Sequence, residues 1–201
     1  MKVEYAARLD RIPRYIFAEL DVLKQEQKRK GTDIISLAIG DPDIHTPRFI
    51  LDALAKEAAD PKNHNYPSYA GEGFYREEVG AWMQRRFGAE VNPENEALAT
   101  IGSKEAIANM GRAFVDSGDT VLCPDPGYPV YANGTTILSD ANAVKMPLLE
   151  QNNFLPDFEA IKKEDAKKAS LMFLNTRTTL LALFATGNSW RRRSGSAGST
   201  E

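Results

Sequence analysis

Residues 97–126 read ALATIGSKEAIANMGRAFVDSGDTVLCPDP, and their alternation decides the fold. "ALATIGS" is a short apolar run ended by glycine, which predicts a strand. "KEAIANMGRAFV" predicts a helix, "DSGD" a turn and "TVLCPDP" a second strand. Downstream the rhythm continues, with a helix in "YPVYANGTTILS" (128–139) and a strand in "NAVKMPLL" (142–149). "LPDFEAIKKEDAKKA" (155–169) carries a short helix, and "SLMFLN" (170–175) a further strand. Strands separated by helices of this length imply βαβ crossovers, so the fold class is α/β with a mostly parallel sheet.

Upstream, "IFAELDVLKQEQKRK" (16–30) favours helix, with Gly31 as its stop. "DIISLAIG" (33–40) reads as a strand turned by "GDPD". "TPRFILDALAKEAAD" (46–60) offers Thr46 as N-cap, Pro47 at the first helical position, and Ile50, Leu54 and Ala58 along one face. The polar loop "PKNHNYPSYAGEG" leads to an amphipathic helix over 73–87, with Val79, Trp82, Met83 and Phe87 as its expected buried side.

Composition narrows the functional classes. The 201 residues suffice for one sizeable core, and a net charge of -3 gives no electrostatic reason to expect nucleic acid or an anionic membrane. Arg191, Arg192 and Arg193 are a local exception, in a Ser/Gly-rich tail. The single Cys123 excludes an internal disulfide, and no cysteine cluster suggests a metal. The N-terminus lacks the apolar core of a signal peptide and no run is long enough to span a bilayer, so a cytoplasmic location is expected.

Chemistry is expected at the strand ends. Gly102, Ser103 and Lys104 fall between a strand and a helix, where free backbone N–H groups, a hydroxyl and a charge suit a phosphate. A plain turn with an N-cap also accounts for Gly102 and Ser103, and the pattern matches neither a Walker nor a Rossmann fingerprint. Tyr128 follows the next strand at the same carboxyl edge, where ligands of open α/β sheets collect. Its ring could stack on a flat cofactor, or simply pack a Pro-rich turn. Tyr66 and Tyr69 sit on a Gly-bounded loop, open to ligand contact or to packing. Tyr15, after Pro13, reads as a core or interface aromatic, His45 and His64 as surface residues, and "KKEDAKK" as a solvated face.

Together, "RYIFAELD", "DIISLAIGDPDIHTP", "YPSYAG", "IGSKEAIANM", "DPGYPVY" and "FLPDFEAI" resemble the class I/II aminotransferases, pyridoxal-phosphate enzymes of fold type I. The nearest likeness is to the LL-diaminopimelate aminotransferase group, in order and spacing over residues 13–175. The resemblance implies a partial type I large domain over 46–175, after an N-terminal arm and small-domain segment over 1–45. It places Gly102, Ser103 and Lys104 at the cofactor phosphate and Tyr128 beside the pyridine ring. Tyr66 would reach the cofactor phosphate of the partner subunit in a homodimer, while Tyr15, Gly40 and Lys104 would line the substrate site. The implied reaction moves an amino group between an amino acid and a 2-oxo acid, with the cofactor as electron sink.

After Asn175 the family continues Tyr-Pro-Asn-Asn-Pro-Thr-Gly-Ala, whereas this chain reads TRTTLLAL over 176–183. Removing the first base of TAC CCG AAC AAC CCT ACT GGC GCT yields Thr-Arg-Thr-Thr-Leu-Leu-Ala-Leu, the residues present. "FATGNSW" recodes in the same way to Val-Cys-Asp-Arg-Glu-Phe, another family-like stretch. A frameshift after Asn175 is therefore expected, with 176–201 an out-of-frame, disordered tail. The family's Schiff-base lysine, which also shuttles the Cα proton, would then be absent, along with the carboxylate partner of the ring nitrogen. The expectation is a truncated chain, inactive alone and binding pyridoxal phosphate weakly or not at all, with an unpaired strand edge prone to aggregate. A non-catalytic dimerisation or ligand-binding fragment is the alternative.

Overall fold

A computed structural model of the chain describes residues 4–36 and 42–175. Gly40, the end of the strand read over 33–40, and the tail 176–201 with its frameshift reading lie outside the described residues. Those described form two compact units, one drawn from Met1–Ala38 and Ser103–Glu201, the other from Ile39–Gly102.

In the first unit, β1 (Thr120–Asp125) lies between β2 (Asn142–Pro147) and β3 (Ala169–Met172), all parallel. Register runs from Thr120 opposite Asn142 to Asp125 opposite Pro147, and Thr120 opposite Ala169 slips before Val121 meets Leu171. The central strand has Val121, Leu122 and Cys123 all buried, the continuous apolar run that a parallel strand covered on both faces requires. The β3 strand begins one residue before the expected "SLMFLN" and ends sooner, although Phe173 N–H still bonds the Leu122 carbonyl at 2.9 Å.

The helix α1 (Ile16–Arg29) ends as expected at Gly31, which sits at φ +82. Thr32 N–H bonds the Gln27 carbonyl and Gly31 N–H that of Lys28, the paired bonds of a Schellman motif. In α4 (Ser103–Phe114), Gly111 is buried against residues 130–139. A Cβ there would stand 2.5 Å from the Thr135 carbonyl oxygen and 2.6 Å from Ser139 Oγ. Thr135 Oγ1 donates to the Ile107 carbonyl at 2.7 Å, so this crossing is closed by a hydrogen bond as well as by contact. The helix expected over 128–139 is a π-type turn at Val130–Thr136 followed by a 3-10 turn at Ile137–Ser139. The helix expected in 155–169 shortens to α5 (Lys163–Lys168), because Pro156 and the turns after it leave few residues to propagate.

A 3-10 turn at Ala7–Arg11 is tied to residues 138–141 of the same unit. Arg8 pairs with Asp140 at 3.2 Å and donates to the Leu138 carbonyl, and Arg11 donates to the Ala141 carbonyl at 2.7 Å.

The second unit contains α2 (Arg48–Ala58) and α3 (Gly73–Phe87). Pro47, not Thr46, is the N-cap of α2: its ψ of 139 lies outside the helix while its carbonyl accepts from Ile50 and Leu51. The α3 span is as expected and closes at left-handed Gly88, φ +65. Its expected buried side is not buried: Trp82 is 50% and Phe87 59% exposed, packed on each other at 5.2 Å. Residues 97–103 form no strand, since among the described residues no neighbouring strand pairs with them; Ala99 N–H makes one bond, to the Ala70 carbonyl. Residues 33–36 are likewise outside any strand.

Candidate functional site

At the carboxyl end of β1 three pieces of one unit meet: the first turn of α4, the segment leaving β1, and the chain just past β3. Parallel strands all point their carboxyl ends this way, so the loops that follow them share one edge. The joining side chains are Lys104, Tyr128, Tyr131 and Phe173.

Lys104 Nζ lies over the Tyr128 ring, 5.5 Å from its centre, within cation–π reach. Hydrogen bonding with the Tyr128 hydroxyl is the largest influence holding the Lys104 ammonium above the ordinary lysine value, and the charge of Tyr128 when ionised adds to it. Slight desolvation acts the other way, and Tyr15 adds a smaller push upward. Lys104 is therefore a cation throughout the neutral range.

Gly102, immediately before α4, sits at φ +84, where only glycine is unstrained, and a Cβ placed there would meet nothing within 4 Å. The helix that follows begins with N–H groups that have no intrahelical acceptor. Ser103 and Lys104 are exposed there, one adding a hydroxyl donor and the other a fixed positive charge. A phosphate carried on a flat ring, the group the resemblance implies, fits this donor set: an anion at the helix start and a half-buried aromatic, Tyr128, beside it.

Among the other expected residues, Tyr15 shares this unit and Lys104's electrostatic neighbourhood, half-exposed and 5.3 Å from the Phe17 ring. Tyr66 and Tyr69 belong to the other unit, both fully exposed at 100% and 101%. His45 and His64 are on the surface, the latter's Nε2 2.9 Å from the Ala58 carbonyl oxygen. Among the described residues no cluster of His, Cys, Asp and Glu could hold a metal, and no helix is long and apolar enough to cross a membrane.

Sequence reasoning missed Tyr131, Phe173 and Asn175. Tyr131 packs edge-to-face on Tyr128 at 5.8 Å and stacks on Phe173 at 4.6 Å, while Asn175 Nδ2 donates to its hydroxyl at 3.4 Å. The available signal was the i, i+3 spacing of the two tyrosines in "YPVY".

Residues 32–178 match the profile of the Aminotransferase class I and II family. The chain is 47% identical over 172 residues to an LL-diaminopimelate aminotransferase of Aquifex aeolicus, covering 86% of this chain and 44% of that one. It is 50% identical to one from Desulforudis audaxviator, covering 85% and 43%. Among solved structures, BacF of Bacillus subtilis superposes with a TM-score of 0.88 at 32% identity, over 98% of this chain and 50% of that chain. The chain thus spans less than half the length of the curated relatives it matches.

Proposed function

The chain belongs to the class I and II aminotransferases, and on that premise we propose that it carries the phosphate-binding half of a pyridoxal-phosphate site. The observation that carries this is the seat of Lys104 Nζ over the Tyr128 ring, 5.5 Å from its centre, which brings a helix N-terminus and an aromatic to one strand edge. The Ser103 hydroxyl and the first N–H groups of α4 hold the phosphate, and the Lys104 charge balances it. Tyr128 would hold the ring of the cofactor, and its contact with Lys104 would keep that charge near the phosphate. When bound, pyridoxal phosphate supplies the electron sink for amino-group transfer between an amino acid and a 2-oxo acid.

The finer reading follows the relatives. The whole enzyme acts on LL-diaminopimelate and glutamate in lysine biosynthesis, in the cytoplasm, as a homodimer in which Tyr66 reaches the partner subunit's cofactor. Tyr15, Gly40 and Lys104 line its substrate side. Residues 46–175 form the first half of the large domain, after an arm and small-domain segment over 1–45. These 201 residues by themselves turn over no substrate, because the resemblance places the cofactor-linking lysine in the part of the relatives not spanned here.

The test is titration of the purified 201-residue chain with pyridoxal phosphate, followed by a transaminase assay. Weak, salt-sensitive binding that drops in Ser103→Ala and in Lys104→Ala is expected, with no turnover. Binding indifferent to both substitutions would remove the site, and a lysine-linked cofactor or measurable turnover would remove the claim of inactivity.

A further inference from the structure

Tyr128 alone is a poor platform. It is half-buried, follows a bend, and meets an exposed lysine, Lys104, 5.5 Å from its ring centre. Its ring also meets a better-fixed neighbour. Tyr131 is only 8% exposed and belongs to the core cluster with Val121 and Cys123. One side of that ring lies flat on Phe173, with 4.6 Å between centres and 15° between planes. The contact with Tyr128 is nearly perpendicular, at 84°. Edge-to-face pairs favour one orientation because the positive rim of one ring faces the negative face of the other. The π-type turn at Val130–Thr136 sets where Tyr131 emerges, and the Thr136 hydroxyl bonds the Tyr131 carbonyl at 2.8 Å to hold that turn. The bond from Asn175 to the Tyr131 hydroxyl is long at 3.4 Å, so the stack, rather than that bond, supplies the restraint.

We propose that Tyr131 is a positioning residue for Tyr128: its edge-to-face contact fixes the plane of the Tyr128 ring, and its stack on Phe173 references that plane to the end of β3. The proposal rests on the cofactor reading of Tyr128 only for its consequence in binding, since the ring relay itself needs no ligand.

Two measurements on the 201-residue chain separate the claims: an NMR titration of the Lys104 side chain without ligand, and the affinity for pyridoxal phosphate. Tyr131→Leu releases Tyr128, so Lys104 titrates lower, toward its value in Tyr128→Phe, and affinity falls about three- to tenfold. Tyr131→Phe keeps both ring contacts and restores the titration and the affinity to within about twofold. Phe173→Leu, which removes only the outer ring, shifts Lys104 in the same direction by less, and serves where Tyr131→Leu fails to fold. An unmoved Lys104 titration in the folded variants overturns the proposal whatever the affinity does. A moved titration with pyridoxal phosphate binding unchanged, or absent even in the unsubstituted chain, leaves the relay standing and removes the cofactor reading instead.

Discussion

Lys104 and Tyr128 meet at the carboxyl edge of β1, the ammonium over the ring with its Nζ 5.5 Å from the ring centre. The Tyr128 hydroxyl raises the Lys104 pKa, so whatever stability that interaction contributes is present below the ordinary lysine value and lost as pH climbs through the raised one. Tyr128→Phe keeps the ring and deletes the acceptor. Lys104 should then titrate lower, as read from its side-chain chemical shifts, and an unchanged curve would refute the influence of the hydroxyl.

Gly111 marks the closest approach of α4 to residues 135–139. Gly111→Ala would push a methyl to 2.5 Å from a backbone oxygen, which side-chain rotation cannot relieve. Overpacking of this kind costs about 1–3 kcal/mol, read from urea midpoints. Gly73→Ala is the control: nothing lies within 4 Å of its Cβ, so stability should hold or rise slightly.

Gly102 and Gly31 share a left-handed backbone, at φ +84 and +82, with open space where a Cβ would stand. Alanine at either position should cost about 1 kcal/mol through strain. Only Gly102→Ala should also weaken pyridoxal phosphate binding, because only Gly102 immediately precedes α4. Equal affinities in the two variants would argue against the phosphate site.

Cys123 is buried, with Sγ 3.7 Å from the Thr136 hydroxyl, and burial pushes its thiol pKa up against a smaller opposing pull from that hydroxyl. The thiol is therefore protonated in the fold at pH values where an unfolded chain ionises it. Stability from this source is intact below the unfolded thiol pKa and declines as pH rises through the higher folded value. Thiol-specific reagents should modify the native chain far more slowly than the urea-unfolded chain, and similar rates would contradict the burial.

Much of the fold was legible because local signals sufficed. The Gly31 stop, the spans of α1 and α3, and the parallel relation of β1, β2 and β3 all follow from residues near in sequence. Tyr128 follows β1 as the alternation implied, whereas Ser103 and Lys104 open α4 without the strand expected before them. Features that depend on partners distant in sequence were not legible. "ALATIGS" has a strand's composition but no neighbouring strand among the described residues, and on the apolar side of α3 Trp82 stays half exposed. Tyr131 and Phe173 lie on separate elements, so no periodicity in either announces their stack.

The buried apolar side chains among the described residues all lie between Val115 and Pro156, whereas the only buried residues of 42–102 are Gly71 and Gly80. Deuterium uptake should follow that division. Amides along β1 should trade their protons only in rare, extensive openings, while those of α2 and α3 do so through small local fluctuations. Mass spectrometry of the isolated chain would then show two sets of peptides ageing on different clocks, one slow around the central strand and one fast on either side of the exposed tyrosine loop.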